Sequence, residues 1–396
     1  MRILVTDGNT LPGLAITRSL GKAGHEVFVG HHKPSSLAAY SRYAKGKCVY
    51  PDPLNSAQEF IQYLITYATE NQIDAIFPVT DITTLPVTQH RSEFPSTCSI
   101  PCAEYKAVAE AADKSRILQL ADSLGVDIPG SHVIESCKDL DPDLIELDFP
   151  LVIKPSRSRV LRGSRWILTS VTYAQDKDDL IRQLKAFEDD IFPVILQERI
   201  QGPGLGVFMC FNKGKPIASF SHKRLREKPP SGGVSVLRES IPVDPLAYDF
   251  SVKLLSALNW HGVAMVEFKV SNADQRPKLM EINGRFWGSL QLSIDSGLNF
   301  PKLLAQSIES TDVAPVTEYK YGIKTRWLWG DIDALLIRML KSNRSLNLPD
   351  GADGKLKYLL KFLIFWQPGM HYDVLKPGDP MPWFYETVQW FRRLFG

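Results

Sequence analysis

The residues with the clearest chemical potential in this chain are Glu267, Glu281, Asn283 and Arg285. They fall in two short segments, residues 263–270 and 278–285. The first reads as a buried strand, an apolar run interrupted by one carboxylate. In the second, Glu281 and Asn283 stand two residues apart and so project from one face of a strand. Residues 271–277 between them are polar, with good turn chemistry. A hairpin symmetric about Asp274 sets Glu267 directly opposite Glu281. Two facing carboxylates among apolar neighbours repel unless a cation lies between them. Hard oxygen ligands beside an amide suit Mg²⁺, with Mn²⁺ as the second choice, and such ions keep positions open for water and phosphate. One acidic residue at a strand end is usually just solvated. Two facing ones with Asn283 and Arg285 at fixed spacing point to a metal–nucleotide site.

The elements that must position this set begin far upstream. Residues 3–5 are an apolar run ending in the turn 6–9, residues 11–23 read as a helix closed by Gly24, and residues 26–29 as the next strand. Ser56 and Glu59 have capping-box spacing, and Phe60, Ile61, Leu64, Ile65 and Ala68 then keep to one helical face. Residues 74–79 follow as a buried strand. This alternation of strand and helix predicts a doubly wound parallel sheet. Gly8 and Gly13 do not complete a G-x-G-x-x-G fingerprint, and residues 30–33 lack the acidic ribose ligand. A nicotinamide-dependent oxidoreductase is therefore only an alternative.

Further along, Asp113 begins a helix with Ile117, Leu120, Ala121 and Leu124 on its buried face. Residues 149–155 form a short strand ending at Lys154. Residues 193–200 form another, carrying Gln197, Glu198 and Ile200 into the glycine-rich stretch 202–206. Residues 206–211 and 216–222 pair around a turn at 212–215, and residues 246–260 are an amphipathic helix leading to the Glu267 strand. In the basic run 221–226, alternation sets His222, Arg224 and Arg226 on one face. That face could bind an anionic substrate, or the run could be a solvated edge strand.

Bulk properties narrow the class. A length of 396 residues suggests two or three domains. Hydrophobic residues at 44% and charged residues at 23% describe an ordinary globular protein. The 46 basic and 44 acidic residues nearly cancel, so nothing in the charge favours nucleic acid. Five cysteines without a regular framework suit reduced thiols in a cytoplasmic enzyme. No apolar segment approaches the ~20 residues that span a bilayer, and the N-terminus shows no signal core. From about residue 310 the character changes. Residues 327–390 hold five of the eight tryptophans, and residues 355–366 form a basic, strongly apolar helix candidate. That helix either docks on the body or contacts a membrane surface or partner.

The order of these pieces resembles the ATP-grasp superfamily of carboxylate–amine ligases, which includes biotin carboxylase, carbamoyl phosphate synthase and D-alanine ligase. The resemblance rests on Asp113-Lys114, the strand ending at Lys154, the segment Gln197 to Ile200, and Glu267 with the Glu281-x-Asn283-x-Arg285 set. It covers residues ~1–308 and implies a pre-ATP-grasp Rossmann-like domain at 1–112. It also implies an ATP-grasp domain at 113–308, with nucleotide between subdomains 113–195 and 196–308. Residues 309–396 would be a mostly helical, Trp-rich extension. The fold class expected is therefore α/β and α+β multidomain. The resemblance implies that Lys114 and Lys154 contact nucleotide phosphates, and that Gln197, Glu198 and Ile200 read adenine. Glu267, Glu281 and Asn283 would hold Mg²⁺, and Arg285 would steady the transferred phosphate or the substrate carboxylate. The expected activity joins a small-molecule carboxylate to an amine through an acyl phosphate, consuming ATP. Homodimers are common in the superfamily. A non-catalytic ATP-binding regulator is the remaining alternative. Two departures stand out: residues 202–206 offer no acidic ribose ligand, and the loop 156–163 carries arginines where glycines are usual.

Overall fold

The computed structural model describes residues 1–136, 147–157, 159–162, 165–230, 232–310, 312–343, 345–346, 348 and 352–395. Cys137, and Ser158 and Gly163 of the arginine-bearing loop, lie outside them.

The N-terminal strands form a four-stranded parallel sheet in the order Ala44–Val49, Glu26–His31, Arg2–Val5, Ala75–Phe77. Ile3, Leu4 and Val5 are wholly buried, as expected of a parallel strand covered on both faces. The helix Leu11–Lys22 opens on Thr10, whose hydroxyl accepts the Gly13 N–H. The helix Ala57–Glu70 opens on Ser56, which accepts the Glu59 N–H at 3.2 Å and turns Phe60, Ile61, Leu64 and Ala68 inward.

Two antiparallel sheets follow. The smaller has the order Ser131–Ile134, Val194–Gln197, Leu151–Pro155, Thr172–Ala174. The larger has seven strands in the order Pro277–Asn283, Gly262–Val270, Gly204–Asn212, Lys215–Lys228, Val234–Ile241, Lys324–Arg326, Met370–Tyr372. The turn between its third and fourth strands is Lys213-Gly214, with φ of 48° and 79°. Positive φ at both central residues is the signature of a type I′ hairpin. The basic strand Lys215–Lys228 lies inside this sheet, so it is not a solvated edge.

Each face of the large sheet has its own core. On one, Phe208, Phe220 and Trp287 join Ile3, Val5 and Phe77 of the N-terminal sheet, with Phe300 and Leu304 between them. On the other, Val207, Phe268 and Leu279 pack against Ile117, Phe250 and Leu254 of the helices Lys114–Ser123 and Pro245–Ala257. The parallel sheet and the large sheet thus share a core, which fixes the loops at the carboxyl ends of the N-terminal strands beside the Glu281 strand.

The last part of the chain is tied in by strands and by buried ion pairs. Lys324–Arg326 and Met370–Tyr372 extend the large sheet. Around them lie the helices Leu328–Leu340, Lys355–Phe362 and Met381–Phe395. Arg226 and Arg326 both reach Asp331, at 2.7 and 2.6 Å. Arg18 of the first helix donates to Asp379 at 2.8 Å.

Candidate functional site

The hairpin forms with Glu267 opposite Glu281, Val266 opposite Ile282 and Met265 opposite Asn283. Beyond this pair the register shifts, leaving Met280 as the extra residue of a bulge. Bulges bend a strand and re-aim its side chains, and here Met280 is carried into the cleft, with its sulfur 3.8 Å from the Lys154 amine.

Lys114 is placed by two backbone devices. Asp113 caps the helix, accepting the Arg116 N–H and the Ser115 hydroxyl, while the Lys114 N–H donates to the Ser156 carbonyl at 2.8 Å. The helix start is thereby pinned to the strand that carries Lys154. From there Lys114 Nζ reaches Glu281 Oε2 at 3.3 Å, so a cation set against the small sheet touches a carboxylate of the large one. Lys154 donates to Gln197 Oε1 at 2.5 Å, and Gln197 in turn donates to the Ser131 hydroxyl at 2.9 Å. Glu198 pairs with Gly130 through both its backbone and its carboxylate. The Ile200 carbonyl accepts from Lys269 Nζ at 3.1 Å.

The carboxylates are held by a relay. Glu267 accepts from Arg224 at 2.9 Å, and Arg224 also reaches Glu227 at 3.2 Å. Glu281 accepts from the Asn283 amide at 3.0 Å, Asn283 accepts from Arg285 at 2.9 Å, and Arg285 Nε reaches Asp81 at 3.1 Å. Asp81 opens the helix Asp81–Gln89 just past the strand Ala75–Phe77. The relay therefore runs from the hairpin into the N-terminal unit.

Burial and charge compete at each group. Burial lowers the Lys154 ammonium to about 8, against the pull of Glu281. Burial also raises the Glu267 carboxyl, opposed by Arg224 and reinforced by the facing Glu281. Burial would raise Glu281 too, but Lys114, Asn283 and Arg285 outweigh it and hold its carboxyl below the usual range. Two carboxylates and one amide oxygen make a hard donor set that fits Mg²⁺. Among the described residues no group of three His, Cys, Asp or Glu side chains could hold a metal by itself, so the amide oxygen of Asn283 is needed to complete a set here.

A cleft of about 850 Å³ between the two antiparallel sheets is lined by Lys114, Lys154, Gln197, Glu198, Ile200, Glu267 and Glu281. Asn283 and Arg285 stand beyond it. Asn283 lines a second cavity of about 350 Å³, which shares Lys114 and Glu281 with the cleft. Arg224, Asp81, Met280 and Lys269 were not among the residues expected at the site. Asp81 could have been found, because ligand-binding loops of open α/β sheets follow the carboxyl ends of strands.

Two antiparallel sheets closing on a charged cleft, behind a parallel N-terminal sheet, define a class of nucleotide-clasping fold. A family model described as "ATP-grasp in the biosynthetic pathway with Ter operon" matches residues 190–330. A probable alpha-L-glutamate ligase of Pseudomonas putida strain F1 is 26% identical over 216 residues, 53% of this chain and 67% of that protein. The L-amino acid ligase from Bacillus licheniformis superposes with a TM-score of 0.58 at 15% identity, covering 80% of this chain and 77% of that one. The biotin carboxylase domain of Hydrogenobacter thermophilus 2-oxoglutarate carboxylase, solved with magnesium ADP and bicarbonate, gives a TM-score of 0.63. It is 14% identical, with 82% of this chain and 73% of that one covered. Fold and family match agree, and the chain is an ATP-grasp protein.

Proposed function

We propose that this protein is an ATP-dependent ligase. It activates a small-molecule carboxylate as an acyl phosphate, which an amine then attacks to form a C–N bond with release of ADP and phosphate. The observation that carries this reading is the junction of the two cavities at Lys114 and Glu281. A nucleotide in the larger cleft would meet a second substrate there, where positioning and charge neutralisation dominate phosphoryl transfer. The glutamate and L-amino acid ligases among the similar proteins support the same chemistry.

Roles follow from position. Lys154 and Lys114 neutralise phosphoryl oxygens, and Gln197 orients Lys154 so that its charge faces the cleft. Gln197, Glu198 and Ile200 border the base, with the Lys269 amine fixing the Ile200 carbonyl. Glu267, Glu281 and Asn283 are the residues that would hold Mg²⁺, which would supply neutralisation of the phosphate oxygens. Arg285, anchored by Asp81, faces the substrate side and balances negative charge on the acyl phosphate or the substrate carboxylate. The second cavity, walled by Ile82, Leu85 and Tyr105 with Arg157 and Arg159 at its rim, is the substrate pocket. In this reading residues 1–112 supply a substrate wall, 113–308 the nucleotide clasp and 309–396 its outer support.

The test is a thermal-shift titration with ATP, ADP and NADH, with and without Mg²⁺, followed by ADP release with panels of acids and amines. Mg²⁺-dependent stabilisation by ATP, lost in Glu281→Ala, is the expected result. Stabilisation by NADH alone, or an ATP response indifferent to Glu281, would overturn the assignment.

A further inference from the structure

The charged clamps that fasten residues 324–395 to the body leave one side of that region with no protein against it. Among the described residues 23 large apolar side chains are exposed, and 14 of them lie between Leu336 and Phe395. Scattered exposed leucines are normal, but such concentration marks a contact surface.

The exposed residues follow helical spacing. Phe384, Val388, Phe391 and Phe395 recur at intervals of four, three and four, so they form one stripe along Met381–Phe395. Leu356, Leu360 and Leu363 do the same along Lys355–Phe362 and its end, followed by Phe365 and by Trp366, which is 77% exposed. Leu336 and Leu340 stand on Leu328–Leu340, the helix both others pack against. The inward faces are spoken for: Trp329 stacks on Trp390 at 4.4 Å, and Arg326 lies over the rings of Phe362 and Phe365.

Charge decides what covers this surface. Lys341, Lys355, Lys357, Lys361, Arg392 and Arg393 are exposed cations on the same three helices and their ends. The acidic residues nearby are turned inward or already neutralised. Asp331 and Asp373 are buried against arginines, Glu386 accepts from the Trp327 indole, and Asp353 is shared by Lys357 and Lys361. Aromatic and leucine side chains flanked by lysine and arginine are the composition of helices that lie in the plane of a lipid headgroup layer. No helix among the described residues is long and apolar enough to cross a membrane.

We infer that the surface formed by the helices Leu328–Leu340, Lys355–Phe362 and Met381–Phe395 docks on an anionic phospholipid bilayer, with Trp366 entering the headgroup layer. The same strand that sends Arg224 into the cleft sends Arg226 and Lys228 to Asp331 and Asp333 beneath this surface. The cleft is thereby held at a fixed attitude to the bilayer.

Flotation of the full chain with vesicles tests this, comparing equal parts phosphatidylglycerol and phosphatidylcholine with phosphatidylcholine alone. The protein floats with the anionic vesicles and is released by salt, since each surface cation contributes about fivefold to binding. Lys357→Glu with Arg392→Glu lowers partition by about tenfold or more, as does Leu360→Ser with Phe395→Ser. All four positions are exposed, so these variants keep the wild-type melting temperature. In the unaltered fold, anionic vesicles blue-shift a component of tryptophan emission that is missing from Trp366→Phe. Absence of flotation with anionic vesicles, or equal flotation with neutral ones, overturns the proposal. It is also overturned if the lipid-free chain is a dimer that Leu360→Ser with Phe395→Ser converts to monomer, because a second copy then covers the face. None of these readouts depends on ligase turnover, so they stand or fall apart from the proposed activity.

Discussion

Two networks of arginine, lysine and carboxylate sit about one strand apart in this molecule and do different work. Under the C-terminal helices, Arg326 and Asp331 are wholly excluded from solvent and Arg238 faces Asp373 in the same condition. In the cleft, the Lys114 and Glu281 side chains keep 11% and 31% of their surface, and Arg224 and Glu267 keep 28% and 24%. Both networks pair opposite charges at ordinary distances. Burial separates them. A pair without solvent can only stay closed, because opening it strands a charge. A pair at the edge of a cleft can exchange its partner for a phosphate or a cation, since water and ligand both reach it.

The largest effect expected from this contrast is on folding. Asp331→Ala leaves Arg326 and Arg226 without their shared carboxylate, and removing one member of a buried pair destabilises by about 3–5 kcal/mol. Denaturant melts should show this loss. If stability is nearly unchanged, water reaches the cluster and the contrast fails.

The counterpart in the cleft is Glu281→Gln. It keeps the shape and the hydrogen bond from Asn283 but removes the charge. ADP release should fall by about 100-fold, as when one preorganised charge-stabilising group is lost. The melting temperature of the free protein should hardly move, because its partner Lys114 stands at the mouth of the cleft. A large stability loss with little loss of turnover would place Glu281 in the structural class instead.

The third effect is a pH dependence. Lys154 is lowered to about 8 by burial, so in the free protein its positive charge is present below that value and lost as pH rises through it. The unfolded chain keeps the proton up to the ordinary lysine range. Between about 8 and that range the unfolded state therefore binds more protons, and this group makes stability increase with pH. Nucleotide binding runs the opposite way, because phosphate needs the ammonium. ATP affinity should weaken by up to about tenfold per pH unit above 8. Lys154→Arg, always charged, should flatten that slope. An unchanged slope would mean that another group titrates.

The same contrast explains which parts of the site could be read from sequence. Glu267 and Glu281 were legible because hairpin pairing is local: strand alternation and a polar turn centred on Asp274 dictate the register. The bulge at Met280 falls just beyond the pair and leaves it intact. Arg224 was seen as part of a cationic face, but its bond to Glu267 crosses an intervening strand, and no local pattern encodes that. Register shifts on either side of Arg226 break the alternation, so Arg224 faces the cleft while Arg226 turns to Asp331. The strands Lys324–Arg326 and Met370–Tyr372, three residues each, are too short to leave a period of two. The C-terminal region consequently read as helices alone, and its buried clamps went unforeseen.

The smallest and most discriminating change is Asp81→Asn, at the point where the N-terminal unit touches the relay. Asp81 is partly exposed and its contact with Arg285 is a single 3.1 Å bond, so its removal should alter stability by no more than about 1 kcal/mol. Arg285 would keep its bonds to Asn283 and the Phe286 carbonyl, but lose the anchor that sets its guanidinium toward the second cavity. If Arg285 acts on the substrate or the acyl phosphate, turnover falls by a few-fold to about tenfold while ATP-induced stabilisation stays as in wild type. The split matters more than its size. A matching loss of ATP response would show that Arg285 serves the nucleotide through Asn283 and Glu281. No loss of either would show that the N-terminal sheet meets the hairpin through packing alone, and would return Asp81–Arg285 to the ordinary surface pairs.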